Sequence, residues 1–201
     1  LHVSENYMGW IDLFGWGTSG YDEKYPWMTS SENRLYGDGS KDITATEYDW
    51  GIYNAISNGG NQQGMWHLLT ANEWSYLRTG RPNASKLRSK ATVCGVEGLI
   101  LLPDDFELPD GVSFDADANY NSNIYDTKDW QAMENAGAVF LPAVNYRRED
   151  EYGRYVLYSS ASYRYYWTSS AYLDGLNINA YDIDKNICTR YYGLAVRLVT
   201  E

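Results

Sequence analysis

Residues 152–199 read YGRYVLYSSASYRYYWTSSAYLDGLNINAYDIDKNICTRYYGLAVRLV. Ten of the chain's 20 tyrosines lie here, at 152, 155, 158, 163, 165, 166, 172, 181, 191 and 192, with Ser, Asn, Asp and Arg between them. A buried strand has no use for so many hydroxyls, because each one taken out of water needs a partner. Tyrosine supplies large, rather rigid contact area at low entropic cost, and Ser, Asn and Gly supply adaptable hydrogen bonds, as in antibody paratopes. The stretch closes on Gly193-Leu194-Ala195-Val196-Arg197-Leu198-Val199, which alternates as a strand does. These features predict a recognition surface over 152–192, carried on a rigid frame in which Tyr166, Trp167, Val196, Leu198 and Val199 are core.

Upstream, the chain predicts short elements joined by long loops. Residues 7–21, YMGWIDLFGWGTSGY, alternate glycines with aromatics and form an irregular loop packed by its own rings. Asp49 is placed to cap a short helix that stops at Asn58-Gly59-Gly60. Thr70-Ala71-Asn72-Glu73 matches a capping box that opens a second helix, with Trp74 and Leu77 facing inward and Gly80 ending it. Residues 91–103 predict a β-hairpin turning at Gly95–Gly98. A loop over 104–123 follows, then a third helix over Thr127–Gly137 capped by Thr127, and a buried strand over 138–142. Further strands are expected at 155–158, 165–169, 175–178, 187–191 and 194–199. The fold class is α+β, in one domain over 1–201.

Composition excludes several functions. The formal net charge is -11, which argues against a nucleic-acid binder and against direct association with anionic membranes. No apolar run approaches the roughly 18 residues of a spanning helix. Cys94 and Cys188 are too few for a disulfide framework and are expected to be unpaired. The chain opens at Leu1 rather than Met, which points to a mature or trimmed piece of a longer protein.

Eight ordered segments carry a resemblance. They are 10–20 (WIDLFGWGTSG), 49–51 (DWG), 56–60 (ISNGG), 64–70 (GMWHLLT) with Glu73-Trp74, 98–104 (GLILLPD), 136–143 (AGAVFLPA), 166–170 (YWTSS) and 193–199 (GLAVRLV). Together they span nearly the whole chain, which resembles the Fibrobacter succinogenes major paralogous domain family of Bacteroidales surface proteins. That family is similar to the formylglycine-generating-enzyme branch of the C-type lectin fold. The resemblance implies a C-type-lectin-like fold with two to three short helices, small antiparallel sheets and long structured loops. It also implies export to the cell surface, often with a lipid anchor. Residues 158–192 resemble the hypervariable segments of retroelement-diversified proteins, in which adenine-directed mutation of Asn codons yields Tyr, Asn, Asp, Ser and Arg. Two departures stand out. Leu1–Asn6 is too short for the further N-terminal strand that relatives usually carry. Cys94 and Cys188 do not match the catalytic cysteine pair of the sulfatase-activating enzymes, so catalysis is not carried over.

The ligand-binding set expected to be exposed is Tyr158, Ser160, Tyr163, Arg164, Tyr165, Tyr172, Asp174, Asn177, Asn179, Asp182, Asp184, Asn186, Arg190 and Tyr191. Tyr and Arg lead it because binding energy concentrates on such residues. Arg147 and Arg148, beside Glu149–Glu151, read as a solvated charge cluster. His2 and His67 are the only histidines, and a structural role is expected for His67. Asp115, Asp117 and Asn119, followed by Asn121, Asn123 and Asp126, space oxygens at alternate residues like the start of a calcium loop. Tyr120 stands where the sharp turn needs glycine and Asp126 where the loop ends in Glu, so a solvated Asx-rich loop is expected and no cofactor. The expected function is a non-enzymatic surface module that binds a protein or glycan. An enzyme related to formylglycine-generating or carbohydrate-active proteins, or a structural fibre-tip subunit, is the alternative.

Overall fold

The computed structural model describes residues 13–27, 42–158, 165–170, 174–178, 183–187 and 192–200, the two segments 174–178 and 183–187 by their backbone. In chain order the elements begin with α1 (Trp50–Tyr53), β1 (His67–Leu68) and α2 (Ala71–Ser75). Then come β2 (Arg88–Val93), β3 (Val96–Leu101), β4 (Ile124–Tyr125), α3 (Thr127–Asn135) and β5 (Val139–Pro142). The last are β6 (Tyr146–Glu149), β7 (Tyr155–Tyr158), β8 (Tyr165–Tyr166), β9 (Asp174–Ile178), β10 (Ile183–Ile187) and β11 (Leu198–Val199). The class is α+β, with a few short helices and small sheets. Two compact units divide the chain: Leu1–Trp74 with Val144–Glu201, and the continuous stretch Ser75–Ala143.

In the discontinuous unit the helix starts follow their local signals. Asp49 accepts from Gly51 N (3.0 Å) and also from Leu68 N (2.9 Å), so the cap of α1 doubles as a tie to β1. Asp49 is fully buried, and burial raises its carboxyl pKa against those two bonds. The capping box is complete at α2: Glu73 N donates to Thr70 Oγ1 (3.1 Å) and Thr70 N donates to Glu73 Oε2 (2.7 Å). The expected second helix is shorter than its signals, because after Ser75 the chain runs through a π turn over Tyr76–Gly80.

The core of this unit gathers Trp16, Ile43, Leu68, Trp167 and Leu194. Two tryptophans tie distant segments reciprocally. Trp16 Nε1 donates to Thr168 O (2.8 Å), and Trp167 Nε1 donates to Phe14 O (2.6 Å). Ser169 and Ser170 then serve two other segments: Ile43 N donates to Ser169 O, while Ser169 N donates to Leu69 O and Ala71 N to Ser170 Oγ. Leu198 and Val199 pair antiparallel with Leu68 and His67. Tyr166 and Trp167 are core as expected, whereas Val196, Leu198 and Val199 are half-buried, because β11 is a two-residue edge pair rather than a long central strand.

Arg147 departs most from expectation. It is not solvated: it is 0% exposed, and its guanidinium donates to the carbonyls of Leu13 (3.1 Å), Pro26 (3.0 Å) and Trp27 (3.5 Å). Its backbone exchanges both hydrogen bonds with Gly193 (2.8 and 2.7 Å). A Cβ at Gly193 would come within 2.7 Å of Arg147 Nε, so only glycine lets the strand lie there.

The continuous unit is a four-stranded sheet in the order β4-β2-β3-β5, with β4 parallel to β2 and the other neighbours antiparallel. Its core is Ala91, Val93, Ile100, Leu102, Tyr125, Met133 and Ala138. The β2–β3 turn is Cys94-Gly95, not Gly95–Gly98. Both residues have positive φ (50° and 82°), as a two-residue hairpin turn of the primed type requires. Gly98 is instead inside β3, paired with Ala91. The cap of α3 is Asp126, not Thr127: its carboxylate accepts from Lys128 N (2.8 Å) and Asp129 N (2.9 Å). A second buried arginine, Arg81, donates to the carbonyls of Leu77, Leu87 and Leu102 and to Asp104 Oδ1 (3.1 Å).

Arg147→Ala orphans buried carbonyls and leaves a void, so urea unfolding should show a loss of roughly 3 kcal/mol or more; a loss under about 0.5 kcal/mol, the range of ordinary surface substitutions, would refute its role. Tyr125 donates to Ser113 O (2.7 Å), and burial pushes its hydroxyl up to about 12. Its contribution is full below the ordinary tyrosine value of about 10 and is lost as pH rises through about 12. Stability measured across that interval should fall less steeply for Tyr125→Phe than for the wild type.

Candidate functional site

Strand alternation sends successive side chains of β6 to opposite faces, so Arg147 is sealed inside while Tyr146 and Arg148 share the other face, where Tyr146 is half-buried and also packs against the core cluster. β7 pairs with β6 in the register Tyr146↔Tyr158 and Arg148↔Val156. Tyr146 is the centre of an aromatic cluster. It stacks on Tyr158 (centroids 5.6 Å, 15°) and Tyr192 (5.6 Å, 23°) and meets Tyr165 edge-on (5.4 Å, 89°). Arg148 Cζ lies 3.8 Å from the Tyr158 ring centroid, and Nη1 donates to Tyr192 Oη at 3.4 Å. The hydrogen bonds to Tyr192 and then Tyr158 push the guanidinium pKa further up, so Arg148 stays charged.

The turn between the strands is built by Asp150. It accepts from Tyr152 N and Arg154 N (both 2.9 Å) and from the Arg154 guanidinium (2.8 Å for Nη2). Arg154's backbone N–H, first among these donors, holds the Asp150 carboxyl below its ordinary value. Arg154 Cζ lies 5.1 Å from the ring of Tyr152, which is 74% exposed. Arg148, Glu149, Asp150, Tyr152, Arg154 and Tyr158 line a cavity of about 600 Å³. Cationic edges, aromatic faces and acidic acceptors thus sit within one hairpin.

Of the expected binding residues, Tyr158 and Tyr165 come together here, both half-buried rather than exposed, because each packs against Tyr146. In the sheet β10-β9-β8 the register sets Tyr165, Asn177 and Asp184 in one row. Asn186 is two residues from Asp184 and so shares the parity of that row. Asp174 falls on the other parity, that of the buried Tyr166. Ser160, Tyr163, Arg164, Tyr172, Asn179, Asp182, Arg190 and Tyr191 lie outside the described residues. Tyr146, Arg148 and Tyr192 belong to the cluster and were not expected in it. The missed signal was Gly153 (φ 74°), a turn residue between Tyr146–Glu149 and Tyr155–Tyr158.

The alternate oxygens of the Asx-rich loop are engaged by the chain itself. Asp115 Oδ1 accepts from Asp117 N (3.0 Å) and Asn119 Oδ1 from Asn121 N (2.8 Å). Asn123 Nδ2 donates to Ser89 Oγ, Lys90 O and Asp115 O. Among the described residues no three His, Cys, Asp or Glu side chains are grouped to hold a metal ion. Cys94 is a free, exposed thiol in the β2–β3 turn, and Cys188 lies outside the described residues. None of the described helices is long and apolar enough to cross a membrane.

Fold and site together define a mixed α+β protein with a tyrosine–arginine face on a hairpin. No protein-family model, curated protein or solved structure matches the chain.

The contact between Arg148 and Tyr158 should be measurable as a coupling. In a double-mutant cycle of Arg148→Ala and Tyr158→Ala, unfolding free energies should show about 0.5–1 kcal/mol of interaction, as expected for a half-buried cation–π pair. Strict additivity would mean that the two groups do not hold each other.

Proposed function

We propose that this chain is a non-enzymatic, cell-surface recognition module of C-type-lectin-like build that holds a protein or glycan on its tyrosine-rich face. The observation that carries this is the convergence of Tyr158, Tyr165 and Tyr192 on Tyr146, with Arg148 lying against Tyr158 and Tyr192. A packed aromatic surface edged by a charged guanidinium offers stacking to a sugar ring and anchoring contact to a protein side chain. Its side chains are partly ordered before a ligand arrives, which lowers the entropy lost on binding.

The division of labour between residues supports a variable face on a constant frame. Trp16, Arg147, Trp167 and Gly193 are bound to main-chain partners and tolerate little change. Neighbouring positions of the same strands, such as Tyr146, Arg148 and Tyr165, belong to the face. A retroelement that rewrites Asn codons over 158–192 would alter that face. Export and surface display follow from the resemblance to the Bacteroidales family. Recognition works through shape and aromatic contact and needs no bond to break and no calcium.

The test is a screen of the purified protein against a glycan array and a panel of bacterial and host surface proteins, with and without a chelator. Tyr158→Ala, Arg148→Ala and Tyr152→Ala variants, each shown by circular dichroism to be folded at the assay temperature, are run in parallel. At least tenfold weaker binding of a captured ligand by Tyr158→Ala or Arg148→Ala, insensitive to chelation, is expected. A ligand bound equally by all variants would move the site off this face.

A further inference from the structure

The discontinuous unit contains a second cavity, of about 660 Å³, whose walls include Gln62, Gln63, Met65, His67, Glu73 and Thr200. It shares no lining residue with the tyrosine–arginine hairpin cavity. Its size is within the range of roughly 300–1,000 Å³ typical of small-ligand pockets. The walls are held from behind. Trp66 Nε1 donates to Gly59 O (2.6 Å), closing the 59–66 loop that carries Gln62, Gln63 and Met65. His67 is fixed by the pairing of β1 with Val199.

Among the described residues two titratable side chains line the cavity, and they are arranged in an unusual way. Glu73 uses Oε2 in the capping box, accepting from both Thr70 N (2.7 Å) and Thr70 Oγ1 (2.8 Å). Its other oxygen, Oε1, lies 4.0 Å from His67 Nε2, too far for a direct hydrogen bond. A single oxygen atom set off the line between them can stand about 2.8 Å from each. It would accept from the imidazole N–H and donate to the carboxylate. One atom that both accepts and donates is the oxygen of a hydroxyl, or of a water that a ligand hydroxyl would displace; an ammonium cannot accept and a fully ionised phosphate oxygen cannot donate.

The rest of the lining fits the same chemistry. The exposed amides of Gln62 and Gln63 each present a donor and an acceptor. Met65, 39% exposed, and the half-buried Ile52 offer an apolar wall for C–H faces. Among the described residues no Lys or Arg lines the cavity, and the Glu73 carboxylate opposes anions. We propose that this cavity is a second binding site, separate from the tyrosine face, for a neutral polyhydroxylated ligand of mono- or disaccharide size, with a ligand hydroxyl bridging His67 and Glu73.

Saturation-transfer NMR on the full chain would test it, with glucose, galactose, mannose, N-acetylglucosamine and maltose as probes and ethanolamine and inorganic phosphate as competing chemistries. The variants are His67→Ala, Glu73→Gln, Gln63→Ala and Tyr158→Ala. Glu73→Gln keeps an acceptor for the capping box while removing the charge. At least one sugar should bind wild type and Tyr158→Ala equally and bind His67→Ala and Glu73→Gln at least tenfold more weakly. Should His67→Ala fail to fold, Gln63→Ala at an exposed position must show the loss instead. The proposal is overturned if no sugar binds, if only ethanolamine or phosphate binds, or if sugar binding is lost in Tyr158→Ala and kept in the cavity variants.

Discussion

The discontinuous unit depends on what happens to the Arg147 guanidinium. Removing a cation from water costs several kcal/mol unless its donors are used. Here they meet the carbonyls of Leu13, Pro26 and Trp27, while the backbone of the same residue pairs with Gly193. A chain with so little regular structure leaves many main-chain carbonyls without a ladder partner, and each is costly to bury unpaired. A rigid fork of five donors answers several of them at once. Arg81 does the same in the continuous unit for Leu77, Leu87 and Leu102. In both units a buried arginine takes up carbonyls contributed by separate stretches of chain.

One strand separates frame from face. Arg147 and Arg148 are adjacent and chemically identical, yet one is sealed inside and the other lies over Tyr158. The two-residue period of β structure accounts for this. It puts tyrosine and arginine side chains on the outward positions while the inward ones hold the fold. The same logic runs across β8, where Tyr166 is core and Tyr165 is in the cluster around Tyr146.

What the sequence disclosed was what is local. Asp49 as a cap and the Thr70–Glu73 box were legible because both partners lie within a few residues or beside the first turn. Trp167 was legible as core because its indole carries more apolar surface to bury than any other side chain. The cap of the third helix lies one residue before Thr127 because Asp126 has the extended backbone that turns its carboxylate onto the first free N–H groups. The β2–β3 turn was misplaced because cysteine is an unusual occupant of a left-handed position, and Gly98 offered a more familiar signal. Arg147 was beyond local inference. Three acidic residues follow Arg148, and the carbonyls that claim Arg147 lie 120 or more residues earlier. Of the site, Tyr158 and Tyr165 were visible from composition. Tyr146 and Arg148 were hidden by the same charge cluster, and the cavity at His67 was hidden because it gathers residues from three distant stretches.

The interleaving of the two units has a consequence for synthesis. Residues 75–143 form a continuous stretch with their own core, and every strand pairing in their sheet lies within it. That unit can acquire its structure while the rest of the chain is still in the ribosome. The other unit cannot. Phe14 waits for Leu194, Trp16 for Thr168, and the carbonyls of Leu13 and Pro26 for Arg147. The aromatic loop at Phe14 and Trp16 therefore stays unprotected until the segment around Leu194 emerges, and the frame locks only then. The unit is most vulnerable to proteolysis and to association with its neighbours before that point, which gives truncation near residue 190 a harsher penalty than the loss of one short strand would suggest.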